Sequence, residues 1–295
     1  KFAASKVHVD APLSADIGSK AVRWVRKFYL GMIFAVIGGM LLHNFIIWRS
    51  KVIARRKLQQ TFVTRMPLRF RIQHAALLTS FFLLVLTGFA LKFPDSWFAS
   101  MLTLGEHMRG LLHRIAAVVL IAVSLYHVFD IAITRAGRQL ARDLFPTLDD
   151  VRGAWQNLSY YLGLTSQKPE FARFNYAEKA EYWALVWGMF VMAGTGIMLW
   201  AKVIVGNHLP RWWLDIATAI HLYEAILATL AIVVWHFYQV FFDPDVYPMN
   251  WAWWDGKMTL HHYREEHGLD ETPVLEISPS AEASEPAPEA ESETV

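Results

Sequence analysis

The sequence has no cysteine among its 295 residues. This excludes disulfides, thiolate-held zinc, iron–sulfur clusters and covalently attached haem c within the chain. Any cofactor it carries must be held by His, Met, carboxylates or backbone. Charge is scarce as well: 18% of residues are Asp, Glu, Lys or Arg, and they sit in blocks between long uncharged stretches. No acidic residue falls between Arg49 and Arg71, and no Lys or Arg between Glu265 and Val295. Hydrophobic residues make up 55% of the chain, which includes 13 Trp, and mean hydropathy is +0.26. A soluble domain of this length rarely carries so much apolar mass, so the pattern indicates a membrane protein.

A helix crossing a bilayer needs about 20 mostly apolar residues. Five segments qualify: Phe28–Trp48, Ala75–Leu91 with Ile72 and Gln73 before it, Ile115–Phe129 continuing past Asp130 to Ile133, Tyr182–Ala201, and Ile216–Phe242. None shows the alternation of a barrel strand, which makes the class an all-α membrane bundle. The stretch Arg49–Arg71 carries eight basic residues, and Arg135–Lys179 carries seven basic against five acidic. The positive-inside rule puts both in the cytoplasm, with the N-terminus outside and the C-terminus inside. Lys20, Arg23, Arg26 and Lys27 then lie outside. The acidic Ser/Ala/Pro/Glu tail is expected to be disordered and solvated. Nothing suggests a second folded domain or an internal repeat. The chain begins at Lys1 with no signal peptide, which fits a processed product or the C-terminal piece of something longer.

Six of the 12 His lie in or at the ends of spans: His43, His74, His113, His127, His221 and His236. Ionisable groups in the hydrocarbon region are costly, and six together outrun simple cross-helix hydrogen bonding. His221 and His236 are 15 residues apart on one helix, a rotation remainder of about 60° and an axial separation of about 22 Å. They face roughly the same way at two depths. A bis-His haem takes one neutral imidazole on each side of the iron, from two helices. Topology offers His113 opposite His221 at the outer level. At the inner level it offers His74 opposite His236, with His127 as the alternative partner.

Paired His at 14 and 15 residues, with His113-Arg114 and His127-Val128-Phe129, resemble the cytochrome b of bc-type complexes. The order of motifs is more similar to the membrane cytochrome b subunits of formate dehydrogenase and nickel–iron hydrogenase. It runs Arg71-Ile72-Gln73-His74 with Thr87-Gly88-Phe89-Ala90-Leu91, Gly110-Leu111-Leu112-His113, then Asn175-Tyr176-Ala177-Glu178-Lys179 with Tyr182-Trp183 and Thr195-Gly196. Ile220-His221, Trp235-His236-Phe237, Gly256-Lys257-Met258 and His261-His262-Tyr263-Arg264 complete it. The resemblance implies a dihaem four-helix domain over residues 69–267, with His113 and His221 on the outer haem b and His74 and His236 on the inner. It leaves a periplasmic segment (1–22), an extra transmembrane helix (23–48) and a disordered cytoplasmic tail (268–295) outside.

His43 and His127 fall outside the pattern and are offered as ligands of a third haem, or as hydrogen-bonding or quinone-lining groups. The extra leading helix also resembles membrane domains fused behind multihaem cytochrome c, where His8 would be the distal ligand of a neighbouring haem c. In the family, quinone binds near the inner haem, which implies Asn175 and Glu178. Glu178 also suits a helix start by its charge. Glu224, one turn after His221, is a proton candidate or a buried neutral acid. Arg109 and Arg114 flank His113 and suit haem propionates or the membrane surface. The function expected is electron transfer between menaquinone or ubiquinone and a periplasmic partner, either a multihaem cytochrome c or an iron–sulfur subunit. A proton-path transporter and a haem-free membrane anchor are the competing readings.

Overall fold

The computed structural model describes residues 17–54, 62–270 and 276–277. The expected His8 site lies outside them. Ten α-helices are described in chain order: α1 (Ile17–Ala54), α2 (Leu68–Lys92), α3 (Trp97–Met101), α4 (Glu106–Ile133), α5 (Arg135–Asp143), α6 (Leu148–Tyr161), α7 (Tyr176–Trp200), α8 (Lys202–His208), α9 (Trp212–Ala231) and α10 (Leu260–Glu266). Five stretches are long and apolar enough to cross a membrane: Gly18–Val52, Leu68–Lys92, Glu106–Ile133, Tyr176–Trp200 and Trp212–Phe242. They are the five expected spans, each extended at one or both ends. Charge and capping residues lie at helix ends, where a search for uncharged windows stops short. The helix of the first span therefore starts at Ile17, within the segment expected to precede it.

The spans pack as two hairpins, α2 on α4 and α7 on α9, with α4 touching α7 and α1 lying along α9. Small side chains fill the seams: Ser80, Thr87, Ala90, Ala116, Ala217 and Ala219 are all buried. Large apolar side chains face outward, with Phe34 77% and Phe190 75% exposed. That inversion is what a bilayer requires, because lipid does not drive Phe or Leu inward, whereas small residues let backbones approach.

One end of the bundle is broad. It gathers the C-terminus of α1, the starts of α2 and α7, α5, α6 and the chain after the last span. Among the described residues, the opposite, narrow end holds the start of α1 and two short connections bearing α3 and α8. At the broad end Phe62–Thr64 (β1) pairs antiparallel with Lys257–Thr259 (β2) and with Glu276–Ile277 (β3), in the order β2-β1-β3. The last pair lies in the stretch expected to be disordered. A backbone ladder provides order there that composition does not announce; the rest of that tail beyond Asp270 is outside the described residues.

Lys51 anchors the same end. It is buried and paired with Asp243 (2.8 Å), Asp245 (2.7 Å) and Glu266 (3.7 Å). A buried cation demands partners of fixed geometry, so this cluster ties α1, the turn after the last span and α10 to one another. Burial pushes the Glu266 carboxyl up, but Lys51 and Lys168 outweigh that and hold it at about 2.

Candidate haem-binding site

Two facing imidazole pairs are built between the hairpins. At the narrow end the ring centroids of His113 and His221 lie 6.4 Å apart; toward the broad end those of His74 and His236 lie 6.3 Å apart. Each pair takes one ring from each hairpin, at the two depths expected.

The narrow-end rings are held alike. Thr87 Oγ1 donates its only proton to the Leu83 carbonyl, one turn back, and therefore accepts from His113 Nδ1–H at 3.0 Å. Thr195 Oγ1 donates to Val191 O at 2.6 Å and accepts from His221 Nδ1–H at 2.9 Å. With Nδ1 protonated, each Nε2 keeps its lone pair, the tautomer a metal ligand needs. The glycine after each Thr makes room for the ring. A Cβ on Gly88 would sit 3.1 Å from His113 Cε1, and one on Gly196 would sit 3.3 Å from His221 Cε1.

Thr87 and Thr195, Gly88 and Gly196, and His113 and His221 are each 108 positions apart. So are Pro67 and Asn175, the N-caps of α2 and α7, and the last residues of those helices, Lys92 and Trp200. The α7–α9 hairpin thus repeats α2–α4 in the same direction, a parallel repeat. This corrects the expectation of no repeat. Apolar residues interchange freely on lipid-facing surfaces, so the likeness is faint along the helices and is clearest where a ring is held.

At the broad end the repeat diverges. At the same offset His74 corresponds to Tyr182 and Gln73 to Glu181. His236 Nδ1–H donates to Glu181 Oε2 at 3.2 Å. On the other side His127 Nδ1–H donates to Gln73 Oε1 at 3.0 Å, and Tyr182 OH lies 3.2 Å from His127 Nε2. The offset carries His127 to position 235, one short of His236. The chain over Ile232–His236 is π-helical, with Phe237 N–H bonded to Ile232 O. A π turn takes in one extra residue, which reconciles the 15-residue spacing of His221 and His236 with the 14 of His113 and His127. Such a turn disturbs the helical ladder, and Asn44 Nδ2 of α1 donates to Val234 O at 2.7 Å. Neither the π turn nor Asn44 figured in the sequence reading; a 15-against-14 spacing on repeated helices was the signal.

The remaining residues separate. His43 donates to or accepts from Tyr176 OH at 2.7 Å and packs against Trp235, centroids 4.6 Å apart. His43 and His127 thus engage different tyrosines and are not brought together as a pair. Asn175 caps α7 and forms a reciprocal capping box with Glu178, whose carboxylate also meets Arg65 at 2.7 Å; Asn175 Nδ2 reaches Glu266 at 3.3 Å. Arg109 is buried and donates to Ala90 O (3.2 Å) and Ala99 O (2.8 Å), closing the narrow end rather than facing a propionate. Arg114 lies over Trp200, 5.9 Å from the ring centroid. Glu224 is buried between α1, α7 and α9, bonded to Tyr29 and 3.6 Å from where a Cβ on Gly188 would be.

These residues fit haem b. The fixed tautomers of His113, His221 and His236 and the glycine-cleared rings of the narrow end suit metal ligands better than a finished hydrogen-bond network. Residues 65–248 match the family model for prokaryotic cytochrome b561, which leaves α1 outside the match. No curated protein matches the chain.

Proposed function

The chain belongs to the prokaryotic cytochrome b561 family, a membrane b-type cytochrome of electron transfer, and on that premise we propose that it carries electrons across the bacterial membrane between the quinone pool and a periplasmic redox partner. The observation that carries this reading is the pair of imidazole pairs at two levels of one bundle. Haem supplies one-electron redox chemistry when bound. The chain supplies His113 and His221 at one level and His74 and His236 at the other, with Thr87, Thr195 and Glu181 fixing tautomers. Two haems b per chain follow from two pairs.

Orientation is read from charge: the broad end holds the basic segments and faces the cytoplasm. The quinone exchanges there, beside His74 and His236. The periplasmic partner docks at the narrow end, beside His113 and His221, and is a multihaem cytochrome c or an iron–sulfur subunit of the kind served by formate dehydrogenase and hydrogenase cytochromes. Arg114, next to His113, is the cation that would meet a propionate at that level.

The test is optical. Purified protein in nanodiscs should be red, hold two haems b per chain by pyridine haemochrome, and be reduced by a short-chain menaquinol. Protein that is folded and colourless after haem-replete expression would overturn the haem reading. Red protein that no quinol reduces and no quinol analogue binds would overturn the quinone reading.

A further inference from the structure

The repeat gives the broad end two equivalent stations. One is the His74–His236 pair. Its counterpart is Tyr182 with His127, and there the two side chains bond directly at 3.2 Å. Tyr182 stands where a ligand would stand. The second station is therefore a hydrogen-bonded chain rather than a metal clamp: Tyr182, His127, Gln73.

That chain ends at a cavity. A space of about 400 Å³ lies between α2 and α4, lined by Arg69, Ile72, Gln73, Ala76, Ala122 and Tyr126 among others. It is an open groove rather than an enclosed chamber, with a volume in the range of small-molecule sites. Its walls open toward the lipid-facing side, with Ile72 and Tyr126 both exposed. Gln73 is 7% exposed, and its carbonyl accepts from His127. Its amide Nε2 is buried with no hydrogen-bond partner among the described residues. A buried amide donor left unpaired costs about 1–3 kcal/mol, so an occupant that accepts a hydrogen bond there is favoured.

We propose that this cavity is the head-group site of the quinone, in which Gln73 Nε2–H donates to a quinone carbonyl. The assignment rests on the quinone reading given above and names its site. Three features select a quinone. The walls are apolar and reached from the bilayer, so the occupant is lipid-soluble. The free donor is a neutral amide, so it matches a neutral acceptor. The nearby cation, Arg69, stands 3.8 Å from Asp130 and against Phe70, so its charge is already met and an anionic lipid head group gains little. Asn175 and Glu178, the positions the family resemblance implies, are bonded to each other, to Arg65 and to Glu266. Their polar atoms are engaged, whereas Gln73 Nε2 has no hydrogen-bond partner among the described residues.

Two measurements on the haem-loaded full chain in nanodiscs test this. The first titrates a fluorescent alkyl-hydroxyquinoline N-oxide, a quinol analogue, into wild type, Gln73→Leu and Ala122→Phe, with haem content determined for each. Binding should weaken about tenfold in Gln73→Leu, the factor equal to about 1.4 kcal/mol, and at least as much in Ala122→Phe, which fills the cavity. The second irradiates wild type with an azidoquinone and maps the adducts, which needs no variant to fold. Adducts should fall on residues 69–76 and 122–126. Wild-type affinity in both variants, or adducts confined to 175–178, would overturn this site while leaving the quinone reading intact. No binding and no adduct in wild type would overturn both.

Discussion

The two ends of this bundle treat the same repeated hairpin differently. At the narrow end the two halves agree in the residues that hold the rings: Thr, Gly and His recur at one offset, and both rings are held by a threonine that has already given its proton away. At the broad end they disagree. One half offers His74 and Gln73, the other Tyr182 and Glu181, and only one half contains a π turn. The symmetric end is suited to holding one group rigidly. The asymmetric end is where a second group and a hydrogen-bonded chain lie side by side, and where α1 intervenes.

Breaking the symmetric end should have the largest effect. His221→Ala removes one ring of the narrow pair, and haem content should fall from two to one per chain by pyridine haemochrome, with the broad-end absorbance retained. Loss of both haems would show that the levels are not independent. Crowding comes next: Gly88→Val pushes a branched side chain at His113, where even a Cβ would lie 3.1 Å from the ring. Overpacking of this kind costs about 1–3 kcal/mol, and narrow-end haem should be lost on mild heating well before the broad-end haem, followed by absorbance. Thr195→Val deletes the acceptor for His221 Nδ1–H, and outer partners of this kind are worth about 10–100-fold in metal affinity. Haem transfer to an apo-acceptor protein should speed up for the narrow haem alone.

Two smaller tests sharpen the broad end. His127→Leu should leave two haems per chain, because that ring is bonded to Gln73 and Tyr182; a fall in haem count would restore it as a ligand. The smallest effect concerns pH. Glu266 has its pKa depressed from 4.5 to about 2. Its contribution to docking α10 is therefore fully present above pH 4.5 and is lost as pH falls through about 2. Hydrogen exchange of α10 amides should be flat from neutral pH to 4.5 and rise below it, once corrected for the intrinsic rate. A rise already at pH 6 would contradict the ion-paired Glu266.

Much of this was legible in the sequence, for physical reasons. Spans announce themselves because the hydrocarbon core tolerates no uncompensated charge. The narrow pair follows from depth alone, since a helix converts sequence distance into height; at the broad end depth left both His74 and His127 as partners for His236. The Thr87-Gly88 and Thr195-Gly196 steps were visible as motifs, yet their role was not, because it depends on which helix faces which ring. The third-haem pairing of His43 with His127 placed two residues at similar depth without fixing azimuth, and the structure turns them to Tyr176 and Tyr182. Asn175 and Glu178 look like ligand-binding polar groups until the helix start is built, when they become its cap. β3 was hidden by the acidic composition around it.

The hydrogen bond from Asn44 to Val234 O has a mechanical consequence. From Ile17 to Asn44, α1 is a continuous rod of about 40 Å at 1.5 Å per residue. Near one tip Gly18 packs so closely on Trp212 that no side chain could replace its hydrogen. Towards the other end Asn44 grips the turn that carries His236. One helix thus links the start of the last span at one face of the membrane to the backbone that carries His236 near the opposite face. Asn44→Ala should uncouple the two, and its signature is an altered electron paramagnetic resonance spectrum of the broad-end haem with the narrow-end signal unchanged.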